Sequence, residues 1–385
     1  MISLERYDRM LDYAILVTLF ALFLLIETYT RVFDRYWLCG VGFAIVFLVL
    51  VGTRIFNIWI SPSRGLTEAL NILFLLPLAS GSVLLALIEV NWDSLYPSAP
   101  EKWLVIDDHL HFPGDADKVI RSMDEANVDK AILVPYRADR GLRHLVRVKL
   151  LGKLIRLAVF SPMRSYIQTY IALRALSPKE SDNSPYSEAR IDNSACARVV
   201  AKHPDRFLFF AWINPNRNDA VSDLRSLVEE NDAAGVKLQG DSFPIDFRSG
   251  RMREIASYAS KLRLPLWLHL GPKPESHNVP FLAEMCPDLI IIVGHMGKNA
   301  YPMCLKWAKQ FPNVYLDVSN YVVTAPIVNE AVQEVGAEKL IMGSDGPDGG
   351  SQKFAIRQVM QLQIADEKKE MILGGNMVKL LRLHR

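Results

Sequence analysis

From residue 103 onward, short β-rich runs recur, each followed by a segment of helical periodicity, and that rhythm restricts the chain to a parallel sheet built from βα units. Eight such runs are found, at 103–107, 130–135, 207–213, 235–239, 265–270, 289–295, 313–318 and 339–345. Helix candidates at 117–126, 219–231, 251–262, 301–310 and 325–335 lie between them, with Gly or Pro near their ends. Eight units whose strands are apolar on both faces predict an α/β fold, the (β/α)8 TIM barrel. A doubly wound open sheet would instead carry a Gly-rich phosphate loop after its first strand. Neither GxGxxG nor a P-loop pattern stands there.

The first 90 or so residues read differently. Residues 36–53 and 69–88 are uncharged runs of near-spanning length, and 13–26 is a shorter one between Asp12 and Glu27. At 1.5 Å per helical residue, a hydrocarbon slab of about 30 Å needs about 20 residues. The expectation is therefore an N-terminal membrane domain over residues 1–95 with about three transmembrane helices, followed by the barrel over 103–385. A cleaved leader is not expected, because the first run has no small-residue cleavage site and two further runs follow it. The flanking cations are balanced, with Arg6, Arg9, Arg54 and Arg64 on one side and Arg31, Arg35 and Lys102 on the other. They set no orientation.

Lysine and arginine number 44 against 42 acidic residues, so no overall charge points to nucleic acid as a partner. Cys39, Cys196, Cys286 and Cys304 lie far apart without a CxxC pair, which predicts reduced, packed thiols. A basic signal does appear locally. More than 50 residues separate Pro135 from the helix before HPDRF, too many for a simple connection, which marks an insertion at about 137–190. Its first half carries Arg137, Arg140, Arg143, Arg147, Lys149, Lys153, Arg156 and Arg164, with leucines interleaved. That composition suits either a helix lying on anionic headgroups or a solvated lid over the active site. A headgroup-binding insertion would favour the cytoplasmic side for the barrel.

The polar residues give the barrel a chemistry. Asp107, His109 and His111 follow the first strand, His269 ends the fifth, His295 the sixth and Asp345 the eighth. Strand C-terminal ends converge on one face of a parallel barrel, so side chains more than 200 residues apart can meet around one ion. Imidazole and carboxylate are suitable ligands for a divalent metal, and a His-x-His pair places both rings on one side of the pleat.

These residues resemble the metal-dependent amidohydrolase superfamily, in particular the amidohydrolase-related branch that includes aminocarboxymuconate semialdehyde decarboxylase. The resemblance covers about residues 104–383. It rests on VIDDHLH at 105–111, HPDRF at 203–207, GVKL at 235–238, PLWLHLG at 265–271, IIVGHMG at 291–297, IMGSDGP at 341–347 and ILGGN at 372–376. It implies that His109, His111, His269 and Asp345 ligate one divalent metal, Zn2+ or Mn2+, with His295 beside it as acid, base or carbonyl polariser. Such an ion lowers the pKa of bound water to about 7, and Asp345 can accept the proton the water gives up. In some branches a lysine on the fourth strand is carboxylated and bridges two metals. The preferred reading of Lys237 is an ammonium anchoring an anionic substrate or a neighbouring carboxylate. Asp107 reads as support for the ligand pair or as a turn residue.

The expected function is a membrane-anchored metal-dependent hydrolase acting on a small amide, lactone or carboxylated substrate, able to assemble as a homo-oligomer. One alternative is non-oxidative decarboxylation of a small unsaturated or aromatic acid. The other is a non-catalytic, membrane-tethered binding or sensing module.

Overall fold

A computed structural model describes residues 98–136, 191–243, 245–270, 278–320, 323–347 and 349–383, all within one compact unit. The three apolar runs and the basic insertion lie outside these residues. Among the described residues no helix is long and apolar enough to cross a membrane.

Eight strands form one parallel sheet in sequence order: β1 Ile106–Phe112, β2 Lys130–Pro135, β3 Phe207–Trp212, β4 Gly235–Gln239, β5 Leu266–His269, β6 Ile291–Val293, β7 Val314–Asp317 and β8 Leu340–Ile341. The sheet closes because the chain beyond β8 runs alongside β1. Asp108 N donates to Met342 O (3.1 Å), Asp345 N to His109 O (2.8 Å) and His111 N to Gly346 O (2.9 Å). The expected eight-unit barrel is thus present, with α1 Ala116–Ala126, α2 Ser194–Lys202, α3 Ala220–Glu229, α4 Gly250–Leu262, α5 Val279–Met285, α6 Tyr301–Gln310, α7 Ala325–Val335 and α8 Gln352–Met360 around it.

Period-two alternation sorts the strand residues into two cores. Ile106, Ile132, Phe210, Trp267, Ile292 and Ile341 fill the interior, whereas Val105, Leu133, Phe209, Leu238, Leu268, Val293 and Leu316 pack outward against the helices. Each helix supplies the complementary stripe: α1 buries Val119, Met123 and Ala126, and Asp115 caps it by accepting from Lys118 N (3.0 Å). α9 Asp366–Glu370 leads into a π turn at Met371–Gly375 and α10 Asn376–Leu381, which closes the lower end of the interior with Met377 packed into the interior cluster. Asn376 Nδ2 donates to Ala337 O (2.8 Å) and Leu340 O (2.7 Å), fixing the entry to β8. Cys196, Cys286 and Cys304 are buried free thiols, as their spacing predicts.

The strand ends differ from the sequence reading where polar residues are buried. β1 begins three residues later than expected and runs through His109 and His111, pairing with β2 as far as Phe112. A polar stretch ordinarily reads as the end of a strand. Here the ladder continues because it lies between β2 and the segment after β8, both of which satisfy its backbone. β6 and β8 are shorter than expected, which leaves His295 and Asp345 in the turns that follow them.

Candidate metal centre

The site depends on a break in the alternation of β1. Its register against β2 shifts between Asp107 and Leu110, so Asp108 and His109, adjacent in sequence, both face the interior. Trp267 Nε1 donates to Asp108 Oδ2 (3.2 Å), and His109 Nε2 lies 3.0 Å from Lys237 Nζ. Asp107 turns the other way. It accepts from Ser344 N (2.8 Å), Ser344 Oγ (2.7 Å) and Gln352 Nε2 (3.2 Å), and so clasps the segment carrying Asp345 to β1. Burial raises Asp107 to about 6 against the pull of these hydrogen bonds.

His111 Nδ1 lies 3.0 Å from the Pro135 carbonyl oxygen. A carbonyl only accepts, so Nδ1 carries the ring proton and the lone pair is on Nε2. That nitrogen is 3.6 Å from Asp345 Oδ1, and His109 Nδ1 is also 3.6 Å from the same oxygen. The three candidate ligand atoms lie within 4.8 Å of one another. An ion bound at about 2.0–2.2 Å to each would set them roughly 3–3.5 Å apart. His109 Nδ1 is buried without a hydrogen-bond partner, a loss of about 1–3 kcal/mol that a cation would offset. Burial, the largest cause, holds His109 well below its ordinary pKa, in the neutral form that a metal requires. Burial also raises Asp345, and a cation is what would compensate its buried charge. His109, His111 and Asp345 therefore fit a divalent ion.

Lys237 is fully buried, with Nζ 3.3 Å from the centroid of Trp267, and desolvation lowers it to about 7. Its position next to His109 has a consequence for the tautomer. His109 can present Nδ1 to an ion only with the proton on Nε2, and Lys237 can accept from that N–H only as the neutral amine. The structure thus places Lys237 beneath a candidate ligand, against His109 and Trp267.

His295 sits in a left-handed turn after β6, where His295, Met296, Gly297 and Lys298 have φ of 52°, 50°, 74° and 52°. At Gly294, which starts this turn, a Cβ would come within 2.1 Å of Trp267, so glycine is required for the indole to fill the barrel below the site. His295 N donates to Asp317 Oδ2 (2.9 Å). Ser319 Oγ donates to the same oxygen (2.5 Å) and lies 2.7 Å from His295 Nδ1. With its own proton committed to Asp317, the Ser319 hydroxyl accepts from Nδ1–H, which leaves the lone pair of His295 on Nε2. That atom is buried without a hydrogen-bond partner, 3.8 Å from Asp345 Oδ2. Burial and then the neighbouring His269 and Lys298 keep the ring neutral.

His109, His295 and Asp317 form a second group with metal-ligand spacing. Asp317 is a poor ligand there, because it already accepts from His295 N, Ser319 N (2.8 Å) and Ser319 Oγ. His269 joins the cluster of rings, 4.8 Å from His295 centroid to centroid, but belongs to neither group. Its Nε2 lies 2.7 Å from Asp241 Oδ2 and 2.8 Å from Lys298 Nζ, and desolvation lowers it to about 4. Nε2 either donates to Asp241 or, in the other tautomer, accepts from Lys298, and in either case it would have to give up that contact before it could ligate.

A cleft of about 1070 Å3 elsewhere, lined by residues in and next to α2 and α3 such as Asp192, Arg198 and Glu230, contains no histidine and is not a catalytic candidate. Sequence reasoning missed Asp241, Lys298, Asp317, Ser319 and Asn320, whose Nδ2 donates to Asp345 Oδ2 (2.5 Å). Asp317 was within reach of the same argument, since it ends β7 as His269 ends β5.

A family model described as amidohydrolase matches residues 162–383, more than half of the chain. The chain belongs to the amidohydrolase family. His109 and His111 precede the matched residues of this amidohydrolase. A gamma-resorcylate decarboxylase of Rhizobium sp. is 25% identical over 214 residues, which cover 41% of this chain and 65% of the relative. The chain thus spans somewhat less than two thirds of the curated relatives it matches. Among solved structures, dihydroxybenzoic acid decarboxylase from Polaromonas sp., with bound manganese and the inhibitor 2-nitroresorcinol, superposes with a TM-score of 0.50 at 19% identity, covering 74% of this chain and 97% of that one. A 5-carboxyvanillate decarboxylase from Novosphingobium aromaticivorans, complexed with manganese and a nitrobenzoic acid, gives 0.50 at 16% identity, covering 76% and 99%. At those identities the likeness is one of fold.

Proposed function

We propose that this amidohydrolase is a metal-dependent, non-oxidative decarboxylase of a small aromatic or unsaturated acid. The observation that carries the reading is His295 Nε2, a buried and unpartnered imidazole nitrogen 3.8 Å from the carboxylate that completes the candidate ligand set. The decarboxylase names of its relatives shift the balance away from hydrolysis, the first expectation from sequence.

His109, His111 and Asp345 would hold the ion, with His269 joining if Nε2 is released. Bound there, a divalent ion would polarise the oxygens of the substrate. Zn2+ and Mn2+ both suit two imidazoles and a carboxylate, and the manganese of the two solved relatives favours Mn2+. Neutral His295 can take a proton from the acid or a ring hydroxyl and deliver it to the carbon that bears the carboxylate. The new C–H bond forms there, the C–C bond breaks with its electrons returning to the ring, and CO2 leaves. The two imidazoles at the centre of the site are closed to water, His109 and His295 each being 1% exposed. Dry surroundings disfavour the carboxylate more than a charge-dispersed transition state and leave little room for a hydrolytic water.

Full-length protein purified in detergent and loaded with Mn2+ is expected to release CO2 from 2,6-dihydroxybenzoate or 5-carboxyvanillate. Cleavage of amides or lactones with no CO2 from any acid would return the reading to hydrolysis. The membrane anchor belongs to the same proposal and rests on the three N-terminal apolar runs. Extraction of the chain from membranes by alkaline carbonate would remove it.

A further inference from the structure

We propose that Lys298 is the anchor for the anionic group of the substrate, and so makes this site selective for carboxylates. The proposal rests on the reading of the strand-end cluster as an active site.

The first argument is conformational. Lys298 has φ 52° and ψ −115°, a backbone state that side chains with a Cβ rarely adopt and that glycine adopts freely. A lysine held in such a state is strained, and strain of this kind persists where the side chain has work at a functional site. The same turn carries His295, so the proton-handling imidazole and the ammonium are delivered together.

The second argument is positional. Lys298 Nζ lies 2.8 Å from His269 Nε2 and 3.6 Å from Asp241 Oδ2, while Asp241 Oδ2 lies 2.7 Å from His269 Nε2. A carboxylate oxygen therefore already sits beside an imidazole and an ammonium at the edge of the cluster. The side chains of Asp241 and Lys298 are 40% and 25% exposed, whereas the cluster's other lysine, Lys237, is fully buried against His109 and Trp267. Of the two, only Lys298 can be reached by an incoming anion. Asp241 marks where that anion would sit, and the substrate's carboxylate would exchange with it.

A further consideration is competition. His269 Nε2 has a single lone pair and cannot accept from Lys298 while it ligates an ion. Occupation of His269 by a metal would turn the ammonium toward other acceptors, the bound carboxylate among them.

The test is calorimetric binding to full-length, Mn2+-loaded protein of 2,6-dihydroxybenzoate and of its uncharged amide, 2,6-dihydroxybenzamide, combined with thermal unfolding. Lys298→Gly and Lys298→Gln are expected to weaken the carboxylate by about 10- to 100-fold and to leave the amide within about 2-fold. Lys298→Arg should restore part of the preference. Lys298→Gly should also unfold at a temperature equal to or higher than the parent, since glycine relieves the backbone strain. Equal losses for both ligands, an unchanged carboxylate affinity, or a marked drop in Tm for Lys298→Gly would each overturn the anchor and make Lys298 a structural clamp. Failure of the parent to bind 2,6-dihydroxybenzoate, 5-carboxyvanillate or benzoate would overturn it as well. A parent that binds these acids without releasing CO2 sinks the decarboxylase reading and leaves the anchor standing.

Discussion

A His109→Ala variant is expected to fall from about one bound divalent ion per chain to less than a tenth, and to lose turnover by about 10^3-fold or more. The reason lies in what His109 does on its two sides. Nδ1 faces Asp345 and His111 as an unpartnered ligand atom, and Nε2 meets Lys237. Truncation removes the one atom and strips the buried amine of its partner. Elemental analysis of the purified protein, with circular dichroism to verify folding, measures the effect. A folded variant that still holds a full equivalent of metal would remove His109 from the ligand set, and with it both groups of candidate ligands, since His109 belongs to each.

The opposite pattern is expected for His295→Ala. His295 lies outside the ligand group of His109, His111 and Asp345, and Asp345 keeps its anchor through Asn320, so the ion should stay bound while turnover drops by about 10^2- to 10^4-fold, the usual range for a lost proton-transfer group. Ser319→Ala is the companion variant. It leaves the imidazole in place but removes the acceptor that keeps the proton on Nδ1, and should cost about 10- to 100-fold, in line with outer-sphere partners elsewhere. CO2 release in parallel with metal content reads both. Unchanged turnover in His295→Ala would end its role in the chemistry.

Much of this site was legible in the chain. His109, His111, His295 and Asp345 all came from one rule, that polar residues at the C-terminal ends of parallel strands converge, and the structure brings them together. His269 obeys the same rule and arrives at the cluster, yet its Nε2 is engaged by Asp241 and Lys298. No spacing rule reveals that, because Asp241 and Lys298 lie on loops whose course depends on tertiary contacts. Lys237 shows the limit from the other side. An ammonium at a strand end reads as a substrate anchor, but β4 turns it inward against His109, while the cluster's partly exposed lysine is Lys298, which no motif marks.

What the sequence alone determined was the order of strands and helices, and with it the barrel, since period-two alternation and helical stripes are local properties that each segment carries in its own side chains. Tertiary structure decided which atoms face one another. The bulge between Asp107 and Leu110 and the left-handed turn at His295–Lys298 are one- to four-residue departures from regular geometry. They are stabilised by partners more than 20 residues away, Ser344 and Gln352 for β1 and Asp317 and Ser319 for His295. Departures held in place by distant hydrogen bonds leave no periodic trace in the chain that forms them, which is why the ligand atoms and their tautomers emerge only once the barrel is closed.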